Sequence, residues 1–199
     1  MTKIVEYFFT PVSPWAYLGH ERFVALARQH GATVMVKPMD LSRVFPVSGG
    51  LPLPKRAPQR QAYRLQELAR WREILGIPIN VQPKFGAAGP ELASRLILAA
   101  RERSADNAMA LAGAIMRARW AEERDIADPA MLAQIASALG QDGPALVDRA
   151  ASPDIAASYD ASTQDAIDRQ VFGAPTYVVG DELFWGQDRL DFLARKLAK

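Results

Sequence analysis

Strand-forming sequence falls at only two places in this chain of 199 residues, its beginning and its end, and that separation constrains the fold more than any other feature. At the beginning, Ile4 to Phe9 is a β-branched and aromatic run broken only by Glu6. It stops at Thr10-Pro11, as a buried strand entering a turn would. A helical pattern takes over at Ser13: the serine can cap, Pro14 can take the first helical position, and Tyr17, Leu18, Phe23, Val24 and Ala27 recur at helical spacing up to His30-Gly31. Thr33 to Val36 reads as a second strand. Strand, helix and strand within the first 40 residues make a βαβ unit, which requires parallel strands and a right-handed crossover.

From Leu41 to Asp165 the strand signal lapses and proline-marked helix starts recur, at Gly89-Pro90, Asp128-Pro129, Gly143-Pro144 and Ser152-Pro153. A helix is expected around Tyr159 to Gln170. A hairpin follows, Pro175 to Val179 and Leu183 to Trp185 flanking Gly180-Asp181-Glu182. A last helix would take Asp188 as its cap and carry Leu190, Leu193, Ala194 and Leu197 as one apolar stripe. This element order is that of an α/β, thioredoxin-like fold with an all-helical insertion. Residues 1–40 and 160–199 are expected to form the thioredoxin-like domain and residues 41–159 the inserted helical domain.

Composition removes several classes of function. Lys and Arg number 24 against 22 Asp and Glu, and a net charge of +2 is too small an excess to argue for nucleic acid or a membrane surface as partner. Cysteine is absent, which excludes disulfides, thiolate metal sites and redox chemistry on a protein thiol; any thiol must come from outside. Met1 to Glu6 lacks a signal-peptide pattern and no apolar run approaches the ~18 residues that would span a bilayer, so a cytoplasmic location is expected. Two histidines ten residues apart, without cysteine, make a poor metal site, and none is expected. A Ser-His hydrolase is equally disfavoured. His20 lies seven residues beyond Ser13 on the same helix, a rise of about 10 Å, and no Gly-x-Ser-x-Gly elbow exists.

The segment Thr10-Pro11-Val12-Ser13-Pro14-Trp15-Ala16-Tyr17 joins strand to helix, where α/β folds present ligand-binding groups. Thiol-disulfide enzymes of this fold carry Cys-x-x-Cys at that junction; here it is Ser13-Pro14-Trp15-Ala16, which keeps one hydroxyl and no sulfur. Ser13 is either a helix cap alone or a functional donor as well. Gly173-Ala174-Pro175-Thr176 stands just before the hairpin, where a cis Pro175 would present the Ala174 backbone to an extended, peptide-like ligand. Leu41 to Leu75 holds seven basic and two acidic residues, an excess of +5 that leaves the rest of the chain at −3. Within it Arg56, Arg60 and Arg64 repeat every four residues and are expected on one helix face, with Tyr63 beside them. Lys55, Arg56 or Arg60 then meets a substrate carboxylate, or the stretch is a solvated face bridged to Glu67. Trp15 either touches ligand or packs in the core.

Three groups of residues together resemble the glutathione-dependent 2-hydroxychromene-2-carboxylate isomerases and the related kappa-class glutathione transferases, of the DsbA-like branch of the thioredoxin superfamily. They are Phe8-Phe9-Thr10-Pro11-Val12-Ser13-Pro14-Trp15-Ala16-Tyr17-Leu18-Gly19, then Lys55-Arg56-Ala57-Pro58-Gln59-Arg60 with Arg70-Trp71 and Leu75-Gly76-Ile77-Pro78, and finally Val171-Phe172-Gly173-Ala174-Pro175-Thr176 with Trp185-Gly186-Gln187-Asp188-Arg189-Leu190. The resemblance implies glutathione as cofactor. By position it makes Ser13 the catalytic donor to the glutathione sulfur, Ala174 and Pro175 the clamp on its cysteinyl part, and Gln187 and Asp188 the contact to its γ-glutamyl end. One departure is that many family members have Gly-Asn where this chain has Gly49-Gly50.

The family reaction implies conversion of a small aromatic carboxylate, 2-hydroxychromene-2-carboxylate or a close analogue, to trans-o-hydroxybenzylidenepyruvate in aromatic hydrocarbon catabolism. The thiolate adds to a conjugated carbon, the resulting single bond rotates, and elimination releases glutathione unchanged. A kappa-like glutathione transferase or peroxidase would use the same activated thiolate, and a non-enzymatic glutathione- or peptide-binding module would use only the clamp. Family precedent also implies a homodimer.

Overall fold

The computed structural model describes residues 3–86 and 89–199. Strands β1 (Ile4–Phe9) and β2 (Thr33–Pro38) are parallel, in register from Ile4 opposite Thr33 to Phe9 opposite Pro38, and α1 (Pro14–Gln29) connects them as the βαβ pattern requires. Helix α1 starts where the sequence supplies both a cap and a proline: the Ala16 N–H donates to Ser13 Oγ at 3.2 Å. Strand β2 runs two residues beyond Val36, because Lys37 and Pro38 stay paired with Phe8 and Phe9.

Between β2 and the next strand the chain is helical: α2 (Leu41–Ser48), a 3-10 turn at Leu53–Lys55, α3 (Pro58–Leu75), α4 (Pro90–Arg101), α5 (Ala105–Trp120), α6 (Pro129–Ala138), α7 (Gly143–Ala150) and α8 (Pro153–Asp168). Every proline-marked start read from the sequence opens a helix, those of α4, α6, α7 and α8. The helix expected around Tyr159 to Gln170 starts earlier, at Pro153. Strands β3 (Thr176–Val179) and β4 (Glu182–Trp185) form the hairpin, turning at Gly180-Asp181 with Gly180 at φ 62°. Strand β3 pairs antiparallel with β1, which gives a four-stranded sheet of order β2-β1-β3-β4. The chain closes with α9 (Leu190–Leu197).

One sequence expectation fails here. Asp188 does not cap α9: a 3-10 turn at Gln187–Arg189 intervenes, so Asp188 already lies inside a helical turn, whereas a cap must be extended. Its carboxylate is engaged instead by Arg189 at 2.8 Å.

The continuous apolar run of β1 is explained by burial on both faces of the sheet. Val5, Tyr7 and Phe9 join the larger core with residues of α1 and α5, while Phe8 packs with Met39, Val44, Ala166 and Val178. Tyr7 stacks on Phe9 at 4.4 Å and on Tyr177 at 5.4 Å, with Phe23 tilted against both tyrosines. Glu6, the one charge in the run, shares the Phe8 face by alternation and is buried against Lys37 and, at 3.0 Å, Arg169. Among the described residues no helix is long and apolar enough to cross a membrane. The consequence of this architecture is that the start of α1 and the loop before β3 meet beyond the end of β1.

Candidate active site

Ser13 is 7% exposed and its hydroxyl makes two hydrogen bonds: it accepts from the Ala16 N–H and donates to the Ala174 carbonyl, each at 3.2 Å. The second bond joins segments 161 residues apart and brings together the two motifs singled out at either end of the sequence. The Ala174-Pro175 bond is cis, as expected. Pairing of β3 with β1 begins at Thr176 opposite Phe8, so the Ala174 peptide unit stays outside the ladder. Below it the turn is tightened by Thr176 Oγ1 donating to the Gly173 carbonyl at 2.8 Å. An O–H···O distance of 3.2 Å is long for a hydroxyl donor, which leaves the Ser13 proton available to a stronger acceptor. An anion placed there would also gain from the dipole of α1 and from the Trp15 N–H, since Pro14 has no N–H and those of Ala16 and Tyr17 are bonded to Ser13.

Ser13, Trp15 and Ala174 line a cleft of about 1020 Å³ whose other boundary comes from α2, the loop after it, α3, the segment around Phe85 and the end of α5. Phe172 and Trp185, both half-exposed, meet at its edge with ring centres 4.7 Å apart and planes tilted by 60°. Of the basic residues proposed from the sequence, Arg56 and Arg60 line this cleft, while Lys55 is exposed outside it. Arg56 departs from the expected helix face. Helix α3 begins only at Pro58, because a residue preceding proline is driven out of helical backbone and Ala57, at ψ 142°, is extended; Arg56, at ψ 151°, is extended as well. From there Arg56 Nε donates to the Leu51 carbonyl at 2.7 Å and its guanidinium covers the Phe45 ring.

Gln187 and Asp188 do not line the cleft. Gln187 is buried against α1, its side-chain oxygen accepting from Arg22, and the approach is close enough that a Cβ on Gly19 would lie 2.8 Å from Gln187 Cβ. At Gly50, which lines the cleft, a Cβ would lie 2.9 Å from Phe45 Cγ, so the phenylalanine ring fills the space of an asparagine side chain.

Among the cleft residues that sequence reasoning missed as site residues are Phe172 and Trp185 at its edge, Arg64 on α3 and Arg119 on α5. The signal for Arg119 was present: it continues the buried stripe of Ala108, Leu111, Ala112 and Ile115, where a charge is out of place. Arg56, Arg60, Arg64 and Arg119 all reach the cleft, and among the described residues none has a carboxylate within ion-pair distance. Burial lowers the pKa of Arg64, and the like charges of Arg56 and Arg119 lower it further. Burial likewise lowers that of Arg119, with Asp125 partly compensating.

Comparison with known proteins places this geometry in context. The DSBA-like thioredoxin domain matches residues 4–198. A 2-hydroxychromene-2-carboxylate isomerase from Sphingobium xenophagum is 30% identical over 194 residues, which is 97% of each chain. A solved structure of a 2-hydroxychromene-2-carboxylate isomerase superposes with a TM-score of 0.81 at 30% identity, covering 98% of this chain and 94% of that one. Human glutathione S-transferase kappa 1 is more distant, 22% identical over 210 residues, with 100% of this chain and 92% of that protein covered. The chain therefore belongs to the DsbA-like thioredoxin-domain family, among the relatives of the 2-hydroxychromene-2-carboxylate isomerases.

Proposed function

We propose that this protein is a glutathione-dependent isomerase acting on 2-hydroxychromene-2-carboxylate or a close analogue. The observation that carries the reading is Ser13: a buried hydroxyl at a helix start, weakly held by Ala174, in a cleft whose other wall bears unpaired arginines. Glutathione, when bound, supplies a thiol whose addition to a conjugated carbon turns a fixed double bond into a rotatable single one and which elimination returns unchanged.

The donor set fits such a tripeptide. Ser13 offers a hydroxyl to the sulfur, and the Ala174 peptide unit, free of the sheet, is positioned to pair with an extended backbone. Because Arg22 holds both the side-chain and the backbone oxygen of Gln187, contact with a γ-glutamyl end at that corner falls to the Gln187 N–H and to Asp188. A free thiol has a pKa near ~8.5, and each unit of depression requires about 1.4 kcal/mol of preferential anion stabilisation. A charge-assisted bond from Ser13, ~1.5–3 kcal/mol, with ~0.3–1 kcal/mol from the start of α1, supplies about one to three units. Phe172 and Trp185 are placed to pack on an aryl group, and the arginine wall to attract its carboxylate. A cytoplasmic location, where thiols stay reduced, belongs to the same reading.

The test is to incubate the protein with catalytic glutathione and 2-hydroxychromene-2-carboxylate and follow the ultraviolet spectrum. Conversion to the trans benzylidenepyruvate that needs glutathione but does not consume it supports the isomerase. Stoichiometric loss of the thiol into an adduct or disulfide would assign a kappa-like transferase or peroxidase instead, and saturable glutathione binding without turnover a binding module.

A further inference from the structure

The arginines of the cleft are of two kinds. Arg60 is exposed, and Arg56 already spends its Nε on the Leu51 carbonyl and its face on the Phe45 ring. Arg64 and Arg119 are the less accessible two, Arg64 half-buried and Arg119 buried. Arg119 is 4% exposed yet lines the cleft; Nη1 donates to the Gly86 carbonyl at 2.7 Å, Nε has no partner, and the guanidinium lies 5.1 Å from the Trp120 ring centre. Asp125 attracts Arg119 but lies beyond ion-pair distance. Arg64 is half-buried, makes no hydrogen bond among the described residues, and meets Arg119 as a like charge. A buried guanidinium without a counter-charge is costly, and a second cation lining the same cleft adds to the cost. Paired guanidiniums match a planar, two-oxygen anion in both charge and geometry, which is what would offset that cost.

We propose that Arg64 and Arg119 form the pocket for the substrate carboxylate and set the selectivity for anionic over neutral aromatic ligands. The proposal rests on the isomerase reading for the identity of the anion's owner. Trp120 and Phe85, which line the same part of the cleft, supply apolar surface for the ring that carries the carboxylate. In this arrangement the reacting carbon is handled at Ser13 and the charged end at the insertion.

Salicylate and salicylamide, an anion and its neutral isostere, serve as binding probes by calorimetry, beside glutathione binding and turnover of 2-hydroxychromene-2-carboxylate. In Arg64→Gln the dissociation constant for salicylate should rise at least tenfold, with those for salicylamide and glutathione within twofold of wild type. KM should rise tenfold with a smaller change in kcat. Arg64→Lys should recover part of the loss, and Arg119→Gln should repeat the pattern; should that buried variant fail to fold, Arg64→Gln and Arg64→Lys decide. Equal losses for salicylate and salicylamide would overturn the pocket, as would a wild-type protein that binds neither. A loss of glutathione affinity in place of salicylate affinity would overturn it too, by assigning the arginines to the tripeptide. A wild-type protein that prefers salicylate through Arg64 yet never isomerises substrate would keep the pocket and dismiss the isomerase.

Discussion

The two sides of the cleft are made of different materials. On the side of the sheet, Thr10 to Trp15 and Phe172 to Ala174 contribute a hydroxyl, peptide groups and aromatic rings, and the one charged side chain is Asp40, whose carboxylate caps α2. On the side of the insertion, four guanidiniums reach the same space without carboxylate partners. The difference fits the two tasks that the proposed isomerase reaction would set, which have different physical requirements. Stabilising a thiolate calls for preorganised donors aimed at one atom, which a helix start and a fixed hydroxyl provide at small cost in desolvation. Drawing a carboxylate from water calls for net charge, and charge held in a partly buried wall discriminates against neutral ligands more sharply than charge on the surface.

Removing Ser13 is the change expected to break this division most completely. In Ser13→Ala the donor disappears while the peptide clamp and the arginine wall remain, so glutathione affinity should fall modestly and the pKa of the bound thiol should rise toward its solution value. A loss of ~1.5–3 kcal/mol corresponds to roughly ten- to a hundredfold in thiolate-dependent turnover at neutral pH, partly recovered at alkaline pH. The same variant loses the cap of α1, worth ~0.5–2 kcal/mol of stability, but a cap has no reason to move the thiolate absorbance of bound glutathione. Titrating that absorbance in both proteins separates the roles: coincident curves with unchanged turnover would reduce Ser13 to a cap.

The side of the cleft that Ser13 belongs to was also the legible one. Its parts are local signals: a β-branched run, a serine before a proline, and a proline before a hairpin, each decided by a few adjacent residues. In the insertion the sequence shows helices and a basic stretch, of which Arg56 and Arg60 reach the cleft, but not the rest of the arginine wall. Arg64 and Arg119 lie on separate helices, α3 and α5, and become one site through tertiary packing that no spacing rule encodes. Errors in the local reading came from proline and turn geometry. Arg56 was assigned to a helix that the Ala57-Pro58 junction forbids, and Asp188 was assigned as a cap where a 3-10 turn had already begun. Gln187 lies outside the cleft for a different reason: beside Gly19 of α1 its side chain is held by Arg22.

A second prediction sharpens the contrast by separating pH effects on chemistry from those on folding. His20, on α1 behind the cleft, is buried; its Nε2 must donate to the Met109 carbonyl at 2.9 Å, which leaves Nδ1 to accept from the Tyr7 hydroxyl at 3.4 Å. Burial lowers its pKa below the ordinary 6.5, against the opposing pulls of Glu21 and the Met109 carbonyl. The unfolded chain therefore binds this proton more readily than the folded one. Its stabilising effect is complete above about pH 6.5 and is lost as pH falls from there toward the folded pKa. Denaturant melts of the wild type should show this acid limb and His20→Gln should flatten it. The turnover of His20→Gln should keep the wild-type pH dependence, which in the proposed reaction belongs to the thiol. A turnover profile that shifted with His20→Gln would draw α1's interior into the chemistry and dissolve the separation.

The smallest expected effect belongs to Arg60, and its smallness is informative. Arg60 and Arg64 stand one turn apart on α3 and both line the cleft, but Arg60 is exposed and Arg64 half-buried. An exposed charge acts through water and salt, which reduces its contribution to ~0–1 kcal/mol and screens it beyond about 8 Å at physiological ionic strength. Arg60→Gln should therefore change KM for the carboxylate substrate by less than about threefold, with the effect fading as salt is raised because it reflects steering. A buried pair would behave otherwise: the deficit of Arg64→Gln should persist in high salt, since little solvent lies between guanidinium and carboxylate. Measuring KM for both variants across ionic strength thus reads where along α3 the anion sits. If Arg60→Gln produced the large, salt-resistant loss and Arg64→Gln the small one, the carboxylate would bind at the rim, and the buried arginines would need another counter-charge.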